Sequence, residues 1–354
     1  MSTLKVNTIL SETPTVNITD GLNVTGVSTV ANITATTITS TNIVNATPLS
    51  NRNLIINGAM LVAQRGTSST EADDYGSLDR FRANTANTDE VPTNSQGDVA
   101  SGTTPYTEGF RKTFKMTNGN QTSGAGSGDR VCIIYNVEAQ DLATSGWNYT
   151  SATSYITFQF WVKTSVAQNY YVLLRTRDGT ERGYVFETGS LTADTWTKIT
   201  KTVPGSSTLQ IDNDNGNGLQ IEWQMFRGTD KTGSVTLNQW ATFDGSARVP
   251  DMTSTWYTTN DATFEITGVQ LEVGSVATPF EHKTYAQELN ACMRYYEGVY
   301  MGQGTALFRT YTNTAGSPSN CSNTDYNFKV EKRASPTWAV EGNAQWAPAN
   351  NTTA

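Results

Sequence analysis

Hydrophobic and polar residues alternate along several segments between residues 110 and 275. In residues 155–163 the sequence YITFQFWVK places four large apolar side chains on one face of an extended strand. Residues 170–177, 219–225 and 264–273 are similar short runs, separated by Asp-Gly, Pro-Gly and Asn-Gly turns. Because the side chains of a strand point alternately to its two faces, this pattern predicts half-buried antiparallel strands. The large apolar residues of these runs are Ile156, Phe158, Phe160, Val162, Val172, Leu174, Leu219, Ile221, Trp223, Met225, Phe264, Ile266, Val269, Leu271 and Val273.

Many such strands joined by turns predict a mainly β protein with a central β-sandwich, in which one side of each sheet is solvated. Two further apolar runs, at residues 54–56 and 60–62, predict short buried strands. One helix is predicted at residues 279–297, beginning at Pro279. Its apolar residues recur every three or four positions and so share one face, namely Tyr285, Leu289, Cys292, Met293 and Tyr296.

Residues 1–50 differ from the rest of the chain. Residues 21–51 contain no charged side chain, and Asn-Ile-Thr or Asn-Val-Thr triplets recur at residues 17–19, 23–25 and 32–34. β-Branched residues favour strands, but one thin apolar stripe cannot bury enough surface for this segment to fold alone. We therefore predict that three identical copies intertwine as a fibrous β-shaft. A disordered linker is the alternative, and glycosylation of the Asn-x-Thr triplets is less favoured.

Composition excludes several classes of function. The 354-residue chain is 36% hydrophobic and 16% charged, with a formal net charge of −8. Nucleic-acid binding needs a basic surface, so no nucleic-acid partner is predicted. No apolar run approaches the ~18 residues of a membrane span, so no membrane insertion is predicted, and no secretory signal is visible. One histidine and the widely separated Cys132, Cys292 and Cys321 argue against a histidine-rich metal site and a disulfide framework.

One segment resembles a calcium-binding loop. Asp212 and Asp214 lie in the oxygen-rich sequence DNDNGNG at residues 212–218, and calcium prefers carboxylate and carbonyl oxygens on a tight turn. The EF-hand pattern fails, because Trp223 occupies the twelfth position, where a glutamate is required. A polar turn between strands is the alternative, and no other cofactor is predicted.

The solvated faces of the strands are the predicted binding surface. No sequence spacing identifies the paired carboxylates of a glycosidase, so the chain is predicted not to be an enzyme. Indole, guanidinium and amide groups suit sugars, because rings pack against apolar sugar faces and polar groups pair with hydroxyls. The same faces could instead pack against a neighbouring subunit or simply face water. The candidate glycan-binding residues are Gln159, Trp161, Arg175, Arg177, Gln220, Glu222 and Gln224.

Eight short phrases give the chain a family resemblance. They are NLIINGAM at 53–60, AQRG at 63–66, LDRF at 78–81, FWVK at 160–163, ITGVQLEVG at 266–274, PFE at 279–281, CMRYY at 292–296 and KRASPT at 332–337. Together they resemble tail fibres and other virion structural proteins of phages of marine bacteria, including cyanophages. The phrases between residues 266 and 296 are the most specific part.

The resemblance implies a domain organisation. Residues 1–50 would attach to the virion and form the shaft, and residues 51–278 would form a jelly-roll sandwich similar to carbohydrate-binding modules. Residues 279–297 would form a connecting helix, followed by a β-rich region at residues 298–354. Related chains are expected to continue past the phrase at 332–337, which leaves open whether this last region is complete.

The resemblance also implies a function. We expect a homotrimeric, non-enzymatic tail fibre that is synthesised in the bacterial cytoplasm and assembled into the virion tail. Outside the cell, its N-terminus would contact other tail proteins and its sandwich would bind host-surface polysaccharide. A purely structural neck, collar or baseplate fibre is the alternative, and a polysaccharide depolymerase is less favoured.

Overall fold

The computed structural model describes residues 51–298 and 327–337 of the chain. The predicted shaft at residues 1–50 and most of the predicted region at residues 298–354 lie outside the described residues. Thirteen strands and four helices occur in the described part.

The strands are β1 (Ser68–Ser69), β2 (Asp73–Asp74), β3 (Phe81–Ala86), β4 (Thr93–Asp98), β5 (Lys112–Thr117), β6 (Arg130–Glu138), β7 (Tyr155–Thr164), β8 (Asn169–Thr176), β9 (Arg182–Ser190), β10 (Thr197–Pro204), β11 (Asn217–Arg227), β12 (Trp240–Thr242) and β13 (Thr263–Val273). The helices are α1 (Thr104–Thr107), α2 (Ala139–Ala143), α3 (Thr255–Thr258) and α4 (Tyr285–Met293), and a 3-10 turn covers Thr229–Lys231.

The strands form two antiparallel sheets. The first sheet has the order β1-β4-β5-β13-β7-β10, and the second has the order β12-β9-β8-β11-β6-β3-β2. Successive strands cross repeatedly between the sheets, as β5, β6, β7 and β8 do, which is typical of a jelly roll. The predicted mainly β fold with a jelly-roll sandwich is therefore confirmed.

One apolar core lies between the sheets. The predicted inward residues of β7 and β11 are all fully buried, and Trp223 lies at the centre of the core. Its ring centroid is 5.7 Å from that of Phe158 and 5.8 Å from that of Phe160. Large rings meet across the sheets because the alternating residues of β7 and β11 put their large apolar side chains on the inner faces.

A β-bulge allows β13 to bury apolar residues in both of its halves. Phe264 and Ile266 are buried at even positions, whereas Val269 and Leu271 are buried at odd positions. The register against β7 shifts between residues 267 and 270, so one extra residue reverses which side chains face the core. Gly268 adopts a φ of +61°, and a Cβ atom there would lie 2.7 Å from the Phe110 ring. The bulge therefore requires glycine.

Two local predictions are wrong. Residues 54–56 and 60–62 are not strands, although Ile55, Met60 and Val62 are fully buried. A turn at residues 56–59 interrupts the segment, and its backbone bonds to the second half of β13, at Val269 and Leu271. The helix predicted from residue 279 begins only at Tyr285. A capping box between Thr284 and Gln287 fixes this start, and residues 279–284 are neither helix nor strand.

Candidate functional site

The structure separates the seven candidate glycan-binding residues into two groups. Gln159 and Trp161 lie on β7 in the first sheet, whereas the other five lie on or just after β8 and on β11 in the second. Because their side chains alternate with the core residues, the two groups face outward from opposite sides of the sandwich. They do not form one surface.

The sequence predicts that the outer face of the first sheet is solvated. At Gln159 and Trp161 this prediction is wrong. Gln159 is 1% exposed and Trp161 is 7% exposed. The Gln159 amide donates a hydrogen bond of 2.6 Å to the carbonyl of Thr278, and the Trp161 indole donates one of 3.0 Å to the carboxylate of Glu108. The chain itself covers this face with the segments at 275–283 and 104–110.

The outer face of the second sheet is also covered, by residues 229–252. Glu222 is fully buried, and its carboxylate lies 3.3 Å from both Arg227 and Arg248. Gln224, also fully buried, donates a hydrogen bond of 2.8 Å to Glu222. The covering segment places the buried Val249 on this face, against Leu173. These polar groups hold the covering segment and are not displayed to solvent.

The three remaining candidates have partners within the chain but are partly accessible. Arg175 and Arg177 both pair with the carboxylate of Glu181. The Gln220 amide donates a hydrogen bond of 3.1 Å to the side chain of Asn136. Glycan binding by the seven residues stays a prediction, and the structure offers no shared surface for them.

The candidate calcium loop lies between β10 and β11 and leads directly into β11. The Asp214 carboxylate accepts a hydrogen bond from the Gly216 amide, and the Asp212 amide donates one to the carboxylate of Asp178. Burial, reinforced by the nearby Asp212 and Asp214, raises the pKa of Asp178. Across residues 51–298 and 327–337, no three histidine, cysteine or acidic side chains cluster as metal ligands do. Calcium binding there stays a prediction.

An open cleft of about 270 Å³ lies where the start of β3, the end of β6 and the last turn of α4 meet. Its wall contains four arginines, three tyrosines and two acidic residues, and we call it the Arg–Tyr cleft. Its lining residues are Arg65, Tyr75, Asp79, Arg80, Arg82, Asn136, Glu138, Asn217, Cys292, Tyr295, Tyr296 and Arg333.

Arg80 lies at the base of the cleft. Its guanidinium carbon is 3.4 Å from the centre of the Tyr295 ring and 4.9 Å from that of Tyr135, and one nitrogen donates to the carbonyl of Asn136. Arg80 has a φ of +74°, an uncommon conformation for a residue with a side chain. The adjacent loop holds it there, because the Asn57 amide donates a hydrogen bond of 2.9 Å to the backbone of Asp79.

Arg65 and Arg333 line the mouth of the cleft. The guanidinium carbon of Arg65 is 3.5 Å from the centre of the Tyr296 ring and 5.8 Å from that of Tyr75. Arg333 donates a hydrogen bond of 2.7 Å to the carbonyl of Asn215. Stacking on a ring occupies the face of a guanidinium and leaves its N–H edge available to a ligand.

The acidic residues of the cleft are held by neighbours. Asp79 accepts hydrogen bonds from the amide and side chain of Gln64, and burial raises its pKa. Glu138 accepts two hydrogen bonds of 2.9 Å from Arg294. Burial opposes ionisation of Glu138, but the hydrogen bonds it accepts and the charge of Arg294 together outweigh burial and hold its pKa below the usual value. The carboxylates therefore shape the cleft and have little freedom to act on a ligand.

The cleft does not contain an activated thiol. Cys292 is fully buried at the base of the cleft, and burial raises its pKa well above the usual value. The thiol therefore stays protonated near neutral pH, and it lacks the thiolate character that nucleophilic catalysis requires.

The sequence patterns did not assign the residues of the Arg–Tyr cleft to a site, although several of these residues lie in the phrases that carry the family resemblance. Four of the phrases that carry the family resemblance, at 63–66, 78–81, 292–296 and 332–337, each contribute at least one residue to the cleft. These phrases are far apart in sequence and give no hint of their neighbours in space. Only the fold shows that they converge.

Comparison with known proteins identifies no family. No protein-family model matches the sequence, and a search of curated proteins finds no match. Within the described residues, every helix is too short or too polar to cross a bilayer.

Solved structures resemble the chain weakly. The enzymatically active domain of tailspike protein 4 of bacteriophage CBA120 is 8% identical, with a TM-score of 0.31, over 63% of this chain and 21% of that chain. The chain thus spans about a fifth of that tailspike structure. The N-terminal cellulose-binding domain of β-1,4-glucanase C from Cellulomonas fimi is 12% identical, with a TM-score of 0.28, over 61% of this chain and 99% of that chain.

The tripod of the bacteriophage Tuc2009 baseplate is 11% identical, with a TM-score of 0.26, over 66% of this chain and 59% of that chain. Similarities at this level give no basis for assigning a ligand, a partner or an activity to this chain.

Proposed function

We propose that this chain is a tail protein of a phage virion whose sandwich binds glycans on the host surface. The observation that carries the proposal is the Arg–Tyr cleft, an open polar cavity with aromatic rings in its wall. Tyrosine rings pack against the apolar faces of sugars, and guanidinium and amide groups bond to sugar substituents. The resemblance of the sequence to phage tail fibres supports the virion context.

In this proposal the chain forms a homotrimer, and residues 1–50 form its shaft and bind other tail proteins. Each trimer carries three clefts, so a weak interaction at each cleft gives strong attachment of the trimer through multivalency. The cleft, at about 270 Å³, is slightly smaller than the range of about 300 to 1,000 Å³ that is typical of ligand pockets. A small pocket gives weak binding at each site, and multivalency compensates for it.

The proposed role is binding without hydrolysis. A glycosidase needs two carboxyl groups that flank the scissile bond and are free to act on it. In the cleft, Asp79 is held by Gln64 and Glu138 by Arg294. Because both carboxylates already have partners within the chain, the cleft supports binding of a glycan and does not support its hydrolysis.

Labelled full-length protein incubated with the bacteria that the phage infects tests the proposal. We expect saturable binding that falls at least tenfold (about 1.4 kcal/mol) after mild periodate oxidation of the surface sugars. The oligomeric state, measured by sedimentation, is expected to be a trimer. The chain length of the isolated surface polysaccharide should stay unchanged during incubation.

Other outcomes separate the alternatives. Absence of binding to every susceptible strain would favour a neck, collar or baseplate protein. Undiminished binding after oxidation would contradict a glycan receptor. Shortening of the polysaccharide would identify a depolymerase.

A further inference from the structure

We propose that the Arg–Tyr cleft selects glycans that carry an anionic group, a carboxylate or a sulfate, through Arg65, Arg80 and Arg333. This inference rests on the proposed function, because it names the class of glycan that the cleft binds. The evidence is the charge, the hydrogen-bonding state and the placement of these side chains.

The cleft is a positive site on a negative protein. The chain carries a formal net charge of −8, yet four arginines and only two acidic residues line the cleft. In a concave site with low-dielectric walls, such an excess of one charge focuses the electrostatic field on the ligand. The local charge therefore favours an anion.

Among the residues that the structure describes, three of the four arginines lack an ionic partner. Among the described residues, no carboxylate oxygen lies within 4.0 Å of the guanidinium nitrogens of Arg65, Arg80 or Arg333. Arg82, the fourth, pairs with Asp73 at 3.2 Å. Other arginines of the sandwich are paired, as Arg227 is with Glu222.

Arg80 gives the strongest evidence. The residue is only 7% exposed, and its Nε atom is buried with no hydrogen-bond partner among the described residues. A buried unpaired donor on a charged group costs free energy, and such groups are normally satisfied in native proteins. An anion in the cleft would provide the countercharge that the protein itself does not supply.

The acidic residues of the cleft do not supply this countercharge by direct pairing. Asp79 bonds to Gln64, and Glu138 bonds to Arg294, which lies outside the lining of the cleft. A planar guanidinium presents two parallel N–H donors that match a carboxylate or a sulfate. Tyr75 provides a ring in the same wall against which the sugar can pack.

A purely structural role for the arginines makes a different prediction. Stacking of Arg65 on Tyr296 and of Arg80 on Tyr295 also ties the end of α4 to the sandwich. If this were their only role, substitution would lower stability without changing the choice of glycan. The test therefore measures stability and ligand preference in the same variants.

The experiment uses full-length protein on an array of bacterial and reference polysaccharides. The array includes two matched pairs, polygalacturonate with its methyl ester and dextran sulfate with dextran. The variants are Arg65→Gln and Arg333→Gln, since Arg80→Gln could fail to fold. The matched control is Arg111→Gln, because Arg111 also stacks on a tyrosine, 3.8 Å from the centre of the Tyr106 ring, but lies outside the cleft.

We expect the wild type to bind acidic polysaccharides, with affinity that falls as salt is raised. Each cleft variant should bind them about tenfold more weakly, as the loss of one charge-assisted contact implies, whereas Arg111→Gln should bind like the wild type. Melting temperatures of Arg333→Gln and Arg111→Gln should match that of the wild type. The matched pairs distinguish carboxylate from sulfate recognition.

Three results would overturn the inference. Equal binding to acidic and neutral polysaccharides would contradict anion selection and leave the proposed glycan-binding function intact. Loss of stability in the cleft variants with unchanged glycan preference would assign the arginines a structural role alone. Binding to no polysaccharide on the array would overturn the proposed function as well.

Discussion

Replacing Arg227 with methionine is expected to lower the free energy of unfolding by about 3 to 5 kcal/mol, the range for breaking a buried ion pair. Glu222 is fully buried on the second sheet, and Arg227 is 3% exposed beside it. Arg248 also pairs with Glu222 but is more accessible, with 22% of its side chain exposed. Without Arg227 the carboxylate keeps only one, partly solvated, countercharge.

Denaturant unfolding of the full chain measures this effect. Lys198→Met is the matched control, because Lys198 and its partner Glu108 are both more than a third exposed at a separation of 3.5 Å. Such a surface pair contributes about 0 to 1 kcal/mol. The double variant Arg227→Met/Glu222→Leu should recover part of the loss, since it removes the buried charge together with its partner. A loss below 1 kcal/mol for Arg227→Met would show that Glu222 is solvated.

The second prediction concerns the core: replacing Trp223 with alanine should lower the free energy of unfolding by about 3 to 5 kcal/mol. The Trp223 side chain is fully buried, and its ring packs 6.2 Å from that of Phe81 and 5.7 Å from that of Phe158. Truncation removes this apolar contact and leaves a cavity between the sheets.

Trp223→Phe should cost much less than Trp223→Ala. The indole nitrogen of Trp223 is buried and has no hydrogen-bond partner among the described residues, so phenylalanine removes an unsatisfied donor while keeping a ring. Thermal and denaturant unfolding of the two variants measure the difference. Equal losses in both would mean that a ring at this position contributes nothing to stability, which would contradict the described packing.

The core was predictable because its signal is local. The alternation in residues 155–163 and 219–225, interrupted only by the outward Tyr155 and Trp161, is sufficient to determine which side chains face inward. Every predicted inward residue of these segments is fully buried. The bulge at Gly268 was less visible, since the sequence shows only a change of phase between Ile266 and Val269.

The outer faces were not predictable from the same pattern. Alternation shows that Gln159 and Glu222 point away from the core, but it does not show what lies over them. Residues distant in sequence cover both, with Thr278 bonded to Gln159 and Arg248 paired with Glu222. A polar residue on an outer face can therefore be a buried partner of a covering loop.

The Arg–Tyr cleft required the fold for a similar reason. Arg65, Arg80 and Arg333 come from segments separated by up to 268 positions in the numbering. Nothing in the spacing of these residues indicates that they converge. The family resemblance marked the phrases that contain them, but it did not distinguish a binding role from a structural one.

The central claim is that the Arg–Tyr cleft is the glycan site. A crystal structure of the full chain with an acidic oligosaccharide selected on the array tests it most directly. We predict a sugar bound in the cleft, with its anionic group at Arg65, Arg80 and Arg333. A sugar bound instead on the outer face of either sheet, at Trp161 or at Arg175, would contradict the account.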